Sequence, residues 1–264
     1  RSGLAKIAVI RLPRISNFTD IAPLEAVDEL DVSYVSNISQ FGDPDVVIIP
    51  GSKNTISDLL WMRQNGLEGK ILRHAAKGGI VFGICGGYQM LGQSISDPTG
   101  AEQKGTVRGM GLLPVTTVFE QEKRRTRVSG RFAKVGGALA EMSGVCYEGY
   151  EIHMGRTVLS KGTVPLVYME EEGEQRQDGA QSDHVYGCYM HGIFDMSETV
   201  KTFLAAVLRK KGIDPSKITV RDRNAYKEEQ YDRLASIVRE NLNMEAVYKI
   251  IEKGNEASCS LLSE

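Results

Sequence analysis

The sequence predicts an α/β fold in which a central, mostly parallel sheet carries helices on both faces. Buried strand patterns alternate with helical patterns over the first hundred residues, which is typical of parallel sheets with crossover helices. Shorter β-like runs separated by polar turns follow over residues 107–195, and helical patterns return from Glu198. The length of 264 residues accommodates one large domain with added strands and helices.

The first half of the chain contains four predicted strands. Apolar runs in a parallel sheet are buried on both faces, so short continuous hydrophobic stretches are read as strands. The break at Asn65-Gly66 divides a long helical pattern into two parts. Strands are predicted at residues 6–12, 31–36, 45–51 and 80–84, and helices at residues 21–30, at 55–77 and from residue 88.

The second half is predicted to add antiparallel strands and C-terminal helices. The acidic, glycine-bearing tract 170–183 is predicted to be a mobile loop, and Asp195 with Glu198 resembles a capping box at a helix start. We expect a single domain over residues 1–254 and a disordered tail over 255–264. Strands are predicted at residues 111–119, 147–159, 166–170 and 185–194, and helices from Glu198 through 205–211 and again at 227–253.

Composition excludes several classes of function. A net charge of −2 argues against a nucleic-acid or anionic-membrane binder. The four cysteines form no CxxC pair, which argues against a structural zinc site and a disulfide framework, so no metal is expected and a reducing cytoplasm is favoured. No apolar run is long enough to span a bilayer, and no signal peptide is recognised. The chain begins with Arg1, which suggests a fragment of a larger protein.

A cysteine lies in the glycine-rich stretch GICGGYQMLG, residues 83–92, directly after the fourth predicted strand. Cys85 could be a small buried residue at a strand end, because free cysteines often behave as small hydrophobes. It could also be the nucleophile of a strand-turn-helix elbow, which needs small neighbours because backbones approach closely at the strained turn. Sites in parallel sheets lie at the carboxyl ends of strands, where both Cys85 and the Pro50-Gly51 turn are predicted.

A thiol nucleophile needs a base nearby in space, and the chain has only four histidines. His74 lies on a helix that is predicted to be exposed, and His184 lies in the polar loop. His191 ends an apolar run, residues 185–192, which reads as a late strand followed by a glycine turn. His191 is therefore the candidate base.

Several motifs in order resemble a known enzyme family. Gly83–Gln89 fits the G-x-C-x-G-x-Q pattern of class I, triad-type glutamine amidotransferases, which have a flavodoxin-like fold. The chain also resembles the amidotransferase domain of the cobyric acid synthase family. The stretches that carry this resemblance are Lys6–Asp20, the 50–55 turn, Gly149–Gly155 and His191–Asp195. The resemblance covers roughly residues 5–250.

This resemblance implies a cysteine-dependent hydrolysis of glutamine. Cys85 would form a γ-glutamyl thioester and release ammonia, with His191 as the general base and acid. The backbone N–H of Gly86 and that of Gly51 or Ser52 would form the oxyanion hole. Gln89 matches the position that helps to hold the substrate glutamine, and its neighbours Gly87 and Tyr88 are included in this candidate substrate site. The same turn could also be a plain cap, with Asn54 or Thr55 starting the next helix.

The chain departs from the pattern of this class at one position. Most relatives carry His-x-Glu, whose glutamate orients the histidine, but Ile193 stands there in this sequence. A Cys–His dyad oriented by a backbone carbonyl or another side chain is favoured over Asp195 as a third member. Glu151 and His153 would share one face of a strand, either as a corrinoid or interdomain contact or as a structural pair.

The resemblance also implies partners outside this chain. No phosphate-loop motif occurs, so an N-terminal synthetase domain that uses ATP and Mg²⁺ is expected to amidate a cobyrinic acid diamide, which is a corrinoid, with ammonia from this domain. Three alternatives remain at this point. They are an amidotransferase subunit that acts on a cell-wall precursor, a cysteine peptidase or other hydrolase on the same fold, and a regulatory binding module with an inactive site. The Arg11–Asp20 opening favours the corrinoid enzyme over the first of these.

Overall fold

The computed structural model describes residues 3–171, 174–217 and 223–260, and it divides the chain into two compact units, Arg1–Val220 and Arg221–Glu264. The single domain expected over residues 1–254 stays a prediction. The buried hydrophobic residues of the described chain run from Ala5 to Leu208, so they all belong to the first unit.

The first unit alternates strands and helices as predicted and then becomes mainly β. Its short 3₁₀ helices are Phe18–Asp20, Gly137–Met142 and Pro215–Lys217. In chain order the other elements are β1 (Ala5–Ile10), β2 (Ile15–Ser16), α1 (Ala22–Glu25), β3 (Leu30–Val35), β4 (Val46–Ile49), β5 (Gly51–Ser52), α2 (Thr55–Gln64), α3 (Leu67–Ala76), β6 (Ile80–Ile84), α4 (Gly86–Leu91), β7 (Ser94–Asp97), β8 (Gly105–Arg108), β9 (Val115–Phe132), β10 (Cys146–Leu159), β11 (Val167–Glu171), β12 (Glu174–Asp178), β13 (Ala180–Ser182), β14 (Val185–Cys188) and α5 (Ser197–Lys210).

The central sheet has the strand order β13-β14-β6-β4-β1-β3, and all its neighbours pair in parallel except β13 with β14. β4 and β6 lie in the middle, and every residue of both strands is buried. This explains their continuous apolar sequences, because a strand covered on both faces has no solvent side for polar residues. The predicted mostly parallel sheet is confirmed, and its central strands end where the candidate motifs begin.

A second sheet has the order β12-β11-β9-β7-β8, with β10 also paired to β9. The ladder between β9 and β10 changes register between His153 and Gly155, where β9 moves from Arg124 to Phe119. Such bulges bend a strand and re-aim side chains. The mobile loop predicted at residues 170–183 is wrong, since β11 and β12 form an antiparallel hairpin that β13 follows.

Several element boundaries differ from the sequence prediction. β14 ends at Cys188, although an extended run to Phe194 was expected. α5 begins at Ser197, one residue before the helical pattern that was predicted from Glu198, and its N-cap is Met196 with no side-chain cap, so the predicted capping role of Asp195 is wrong. In the second unit, α6 (Arg223–Asn241) and α7 (Met244–Ser260) replace one predicted helix. α7 also continues through residues 255–260 of the expected tail, while residues 261–264 lie outside the described chain.

Two side chains stabilise the start of α2 by accepting hydrogen bonds from its first backbone N–H groups. The Asn54 side chain accepts a hydrogen bond from Ser57 N at 2.9 Å, which confirms the predicted cap. From the loop after β7, the Glu102 carboxylate accepts from Ile56 N at 3.1 Å. Asp97, which is fully buried, orders this loop by accepting four backbone hydrogen bonds, from the N–H groups of residues 100, 101, 102 and 103. The loop therefore supports the helix that follows the Gly51-Ser52 turn.

Candidate functional site

Cys85 lies on a strained turn between β6 and α4, with φ 52° and ψ −108°. Only a few per cent of non-glycine residues have positive φ, and such strain persists where surrounding structure enforces it. The glycines on both sides are needed for packing, because a Cβ at Gly87 would overlap the carbonyl oxygen of Ile49. A Cβ at Gly83 would lie 2.7 Å from Tyr88 N. The local geometry is that of a nucleophile elbow, as the glycine pattern predicts.

His191 follows β14, the strand beside β6, and it is 1 % exposed. Its Nδ1 lies 2.7 Å from Asp20 Oδ2, and Gly192 N donates to Asp20 Oδ1 at 2.9 Å. Burial lowers the pKa of His191, but the hydrogen bond to Asp20 and the interaction with the Cys85 side chain outweigh it and raise the pKa from 6.5 to about 10. Because a carboxylate can only accept, Nδ1 carries a proton and Nε2 is the nitrogen that can exchange one with the thiol.

Asp20 is the functional residue that the sequence analysis missed. The sequence favoured a Cys–His dyad whose histidine is oriented by a backbone carbonyl or another side chain. In the structure the Asp20 carboxylate binds His191 Nδ1, which is the contact that had been considered for Asp195. Asp20 and His191 are separated by 171 positions. The one signal was that Asp20 ends the Lys6–Asp20 motif, in the connection between β1 and α1.

The Gly51-Ser52 turn faces the elbow from β4. β5 pairs with β2 in an antiparallel ladder, with Ser16 opposite Gly51 and Ile15 opposite Ser52, and Lys53 N donates to Arg14 O at 2.8 Å. Hydrogen-bonded pairs alternate in such a ladder, so Gly51 N–H points to Ser16 and Ser52 N–H points away from β2. Ser52 N lies 3.0 Å from the position that a Cβ on Gly86 would take. Of the two candidate donors, Ser52 N–H is therefore the one that faces the elbow.

The three residues predicted to bind substrate are buried around the elbow. Gln89 is 2 % exposed, its Oε1 accepts from Thr55 Oγ1 at 3.2 Å, and its Nε2 donates to Tyr189 Oη at 3.0 Å. Tyr88 packs edge-on against the Tyr189 ring with the centroids 5.3 Å apart, and Gly87 lies in the first turn of α4. Gln89 thus braces α4 against α2, and contact with a substrate would require its amide to exchange a partner.

β10 packs against the site at the carboxyl ends of the central strands. The Tyr150 ring stacks on His191 with centroids 5.3 Å apart, and the backbones of these residues are hydrogen-bonded in both directions. The Cys85 thiol donates to Ile152 O at 3.5 Å. One strand therefore contacts both the candidate nucleophile and the candidate base.

The Glu151 and His153 side chains meet, as their shared strand face predicts. Glu151 Oε1 lies 3.6 Å from His153 Nε2, and Arg176 from β12 binds Glu151 Oε2 at 2.5 Å. Glu151 is fully buried, whereas His153 lines a neighbouring cavity, so both alternatives for this pair stay predictions. Arg176 lay in the tract predicted to be mobile, and for that reason it was missed.

A cavity of about 450 Å³ adjoins this network. Its lining includes Tyr88, Tyr189 and Gly155, together with the charged residues Arg156, Arg176 and Asp178. Burial, followed by the nearby charge of Glu151, raises the pKa of Asp178 to about 6. Among the described residues, no cluster of three or more metal-ligating side chains occurs, and none of the described helices is long and apolar enough to span a membrane.

Comparisons with known proteins identify the family and the fold. The profile of the CobB/CobQ-like glutamine amidotransferase domain matches residues 6–199. In fold, the chain is similar to the PurLQS structure from Thermotoga maritima, with a TM-score of 0.57, 17 % identity, and coverage of 78 % of this chain and 99 % of that one. A second structure, described as a glutamine amidotransferase, gives a TM-score of 0.54 at 16 % identity, with coverage of 78 % and 99 % respectively.

Two curated relatives are cobyric acid synthases. The protein from Ruminiclostridium cellulolyticum is 52 % identical over 258 residues, which are 96 % of this chain and 50 % of the relative. The protein from Lachnoclostridium phytofermentans is 44 % identical, with 94 % of this chain and 50 % of the relative covered. The chain therefore spans about half the length of the curated relatives it matches.

Proposed function

Because this chain belongs to the CobB/CobQ-like glutamine amidotransferase family, we propose that it is the ammonia-producing half of a cobyric acid synthase. Its reaction is the hydrolysis of glutamine to glutamate and ammonia. The observation that carries the proposal is the meeting of Cys85, which follows β6, with His191, which follows the neighbouring β14, and with Asp20 from the connection between β1 and α1. No observation favours the peptidase, the cell-wall amidotransferase or the inactive binding module.

In the first half of the reaction, His191 Nε2 takes the thiol proton and Cys85 Sγ attacks the side-chain amide carbon of glutamine. The carbonyl π electrons move to oxygen, and the N–H groups of Gly86 and Ser52 stabilise the oxyanion. When the C–N bond breaks, His191 returns the proton to the leaving nitrogen, and ammonia departs. A γ-glutamyl thioester on Cys85 remains.

In the second half, His191 removes a proton from water while the water oxygen attacks the thioester carbon. The C–S bond breaks, Cys85 regains a proton and glutamate is released. Asp20 keeps Nδ1 protonated throughout and stabilises the imidazolium, which is the role of the acidic residue in the serine protease triad. Gln89 and Tyr88 close the floor of the site and help to position the substrate.

The remaining half of the full-length protein would use the ammonia. We propose that it holds ATP and Mg²⁺, activates carboxylates of a cobyrinic acid diamide, and makes the amides of cobalamin biosynthesis. The free thiols of Cys85, Cys146 and Cys188 fit a reducing compartment such as the cytoplasm.

The experiment that tests the proposal is the Cys85→Ala variant of the full-length protein. We expect glutamine-dependent amidation of the cobyrinic acid diamide to fall below about 1 % of wild type, because no thioester can form. Amidation with added ammonia should stay within about twofold, because ammonia bypasses this site. Cys146→Ala, which changes an exposed thiol, is the matched control and should preserve both activities. Equal loss of both activities in Cys85→Ala would contradict the proposal.

A further inference from the structure

The segment between β1 and α1, residues 11–21, is attached to both sides of the candidate site; we call it the β1–α1 loop. Its Ser16 pairs with Gly51, and its Asp20 binds His191 and Gly192 N. Its Arg14 N–H donates at 3.2 Å to the Asp58 carboxylate, which also accepts from Ser52 Oγ at 2.6 Å. A displacement of this loop would therefore move two parts of the site together. These are Asp20, which supports His191, and the Gly51-Ser52 turn, which carries the candidate oxyanion donor.

The outer surface of the same loop carries an exposed aromatic residue. Phe18 is 66 % exposed, which is the largest value for a big hydrophobic residue in the described part of the first unit. Asn17 has φ 52° and ψ 45°, a left-handed conformation that asparagine adopts more readily than most residues. The turn at Asn17 presents Phe18 to solvent while Ser16 and Asp20, two positions away on either side, contact the site. The neighbouring Arg14 side chain is 52 % exposed.

The chemistry of the proposed function indicates what covers this surface. Ammonia that escapes to water is protonated to ammonium, which is not a nucleophile, so the mouth of the site must face the half that consumes ammonia. The matched relatives are about twice as long as this chain, so a large part of each lies outside it. Protein interfaces are enriched in aromatic residues and arginine, and a few buried aromatic anchors dominate their stability.

We propose that Phe18 anchors the interface with the amide-forming half of the full-length protein, and that the β1–α1 loop transmits this docking to Asp20 and Ser52. The proposal rests on the proposed function and adds the contact through which one half controls the other. Docking would favour the loop position in which His191 and the Ser52 N–H are both aligned, since a partner shifts a conformational equilibrium by binding one state more tightly.

The test is the Phe18→Ala variant of the full-length protein. Leu4→Ala is the matched control, because Leu4 is 44 % exposed but lies at the amino end of β1, whereas the site lies at the carboxyl ends of the parallel strands. Glutamine hydrolysis is measured with and without ATP and the cobyrinic acid diamide, and amide formation is measured with glutamine and with ammonia. Alkylation of Cys85 by a glutamine chloroketone reports whether the site itself is intact.

We expect Phe18→Ala to lower glutamine-dependent amidation and the stimulation of hydrolysis by ATP and acceptor by about tenfold or more, which corresponds to the loss of an interface anchor. Ammonia-dependent amidation, unstimulated hydrolysis and alkylation should stay within about twofold, and Leu4→Ala should resemble wild type. Full stimulation in Phe18→Ala would overturn the proposal. Loss of alkylation would also overturn it, because Phe18 would then act within the site.

The oligomeric state distinguishes docking of the amide-forming half from the alternative that a second copy of the chain covers this surface. A change from dimer to monomer in Phe18→Ala, with stimulation preserved, would mean that a second copy of the chain covers Phe18, and the proposal would be wrong. Failure of the proposed function looks different from all of these outcomes. In that case the wild-type full-length protein would form no amide from glutamine, whatever residue occupied position 18.

Discussion

Asp20 acts on two neighbouring groups at the residue scale. One carboxylate oxygen holds the His191 ring through Nδ1, and the other binds the N–H of the next residue, Gly192. Ring and backbone are thus fixed by the same side chain. Since a buried charge is stable only when it is paired and hydrogen-bonded, Asp20 and His191 also stabilise each other.

Changing Asp20 to Asn should lower the glutaminase kcat by roughly 10²–10⁴-fold, because an amide no longer enforces the tautomer in which Nε2 is the base. Asp195→Asn, a matched change three residues from Gly192, should cost less than about tenfold, since Asp195 does not bind Nδ1 in the structure. The measurement is single-turnover glutamate release by folded variants. An equal loss in both variants would make Asp195 part of the catalytic machinery.

The raised pKa of His191 predicts a pH dependence of stability. A group whose pKa is higher in the folded state stabilises the fold fully below its unfolded pKa, here near 6.5, and loses this contribution as pH rises through its folded pKa of about 10. The free energy of unfolding, measured in urea, should therefore be higher for wild type than for Asp20→Asn, and the difference should be largest near pH 6.5. The difference should shrink between pH 7 and about pH 10. A difference that stayed constant with pH would show that the pair contributes no proton linkage.

At the scale of elements, the loop after β7 is ordered by one buried carboxylate. Removing the Asp97 side chain leaves four backbone N–H groups without their acceptor and loosens the loop that presents Glu102 to α2. We expect Asp97→Ala to lower the free energy of unfolding by about 2–3 kcal/mol, measured by urea denaturation. Asp43→Ala, at an exposed loop position, should change it by less than about 0.5 kcal/mol. Similar values for the two variants would mean that the loop does not depend on Asp97.

The central sheet and the elbow could be predicted from the sequence because local patterns encode them. Continuous apolar runs mark β4 and β6, and the glycines around Cys85 report the close approach of backbones. β11 falls on the strand predicted at residues 166–170, but β12 could not be predicted in this way. The residues of β12 are polar, and what orders this strand is its pairing with β11 and the ion pair between Arg176 and Glu151, which depend on tertiary contacts.

Asp20 was missed for a related physical reason. A carboxylate in a connecting loop has no local feature that distinguishes a structural role from the orientation of a distant imidazole. The sequence prediction considered positions after His191, where relatives of this class carry glutamate, whereas this fold supplies the carboxylate from the connection between β1 and α1. Ser52 N–H was identified only as one of two donors, because the ladder with β2 decides which N–H turns inward.

At the scale of the whole molecule, the first unit should fold without the second. Its buried core ends at Leu208, and Lys211 Nζ ties the end of α5 to Leu4 O at 2.7 Å and to Asp45 at 2.8 Å. Truncation after Val220 should therefore shift the free energy of unfolding of this unit by less than about 1 kcal/mol, or Tm by about 2–4 °C, measured by calorimetry. Truncation after Asp195, which removes buried Phe203 and Leu204, should abolish cooperative unfolding. Loss of cooperativity in the longer variant would show that the first unit is incomplete.

The 171 positions between Asp20 and His191 also matter while the protein is being synthesised. A ribosome exposes the elbow long before β14, so the nascent chain carries its thiol for some time without the imidazole that would activate it. The carboxylate, the oxyanion turn, the thiol and the imidazole meet only after β14 has joined β6 in the sheet. Under the proposed function, half-made or partly unfolded chains should therefore hydrolyse no glutamine, and activity should appear only when β14 has paired with β6.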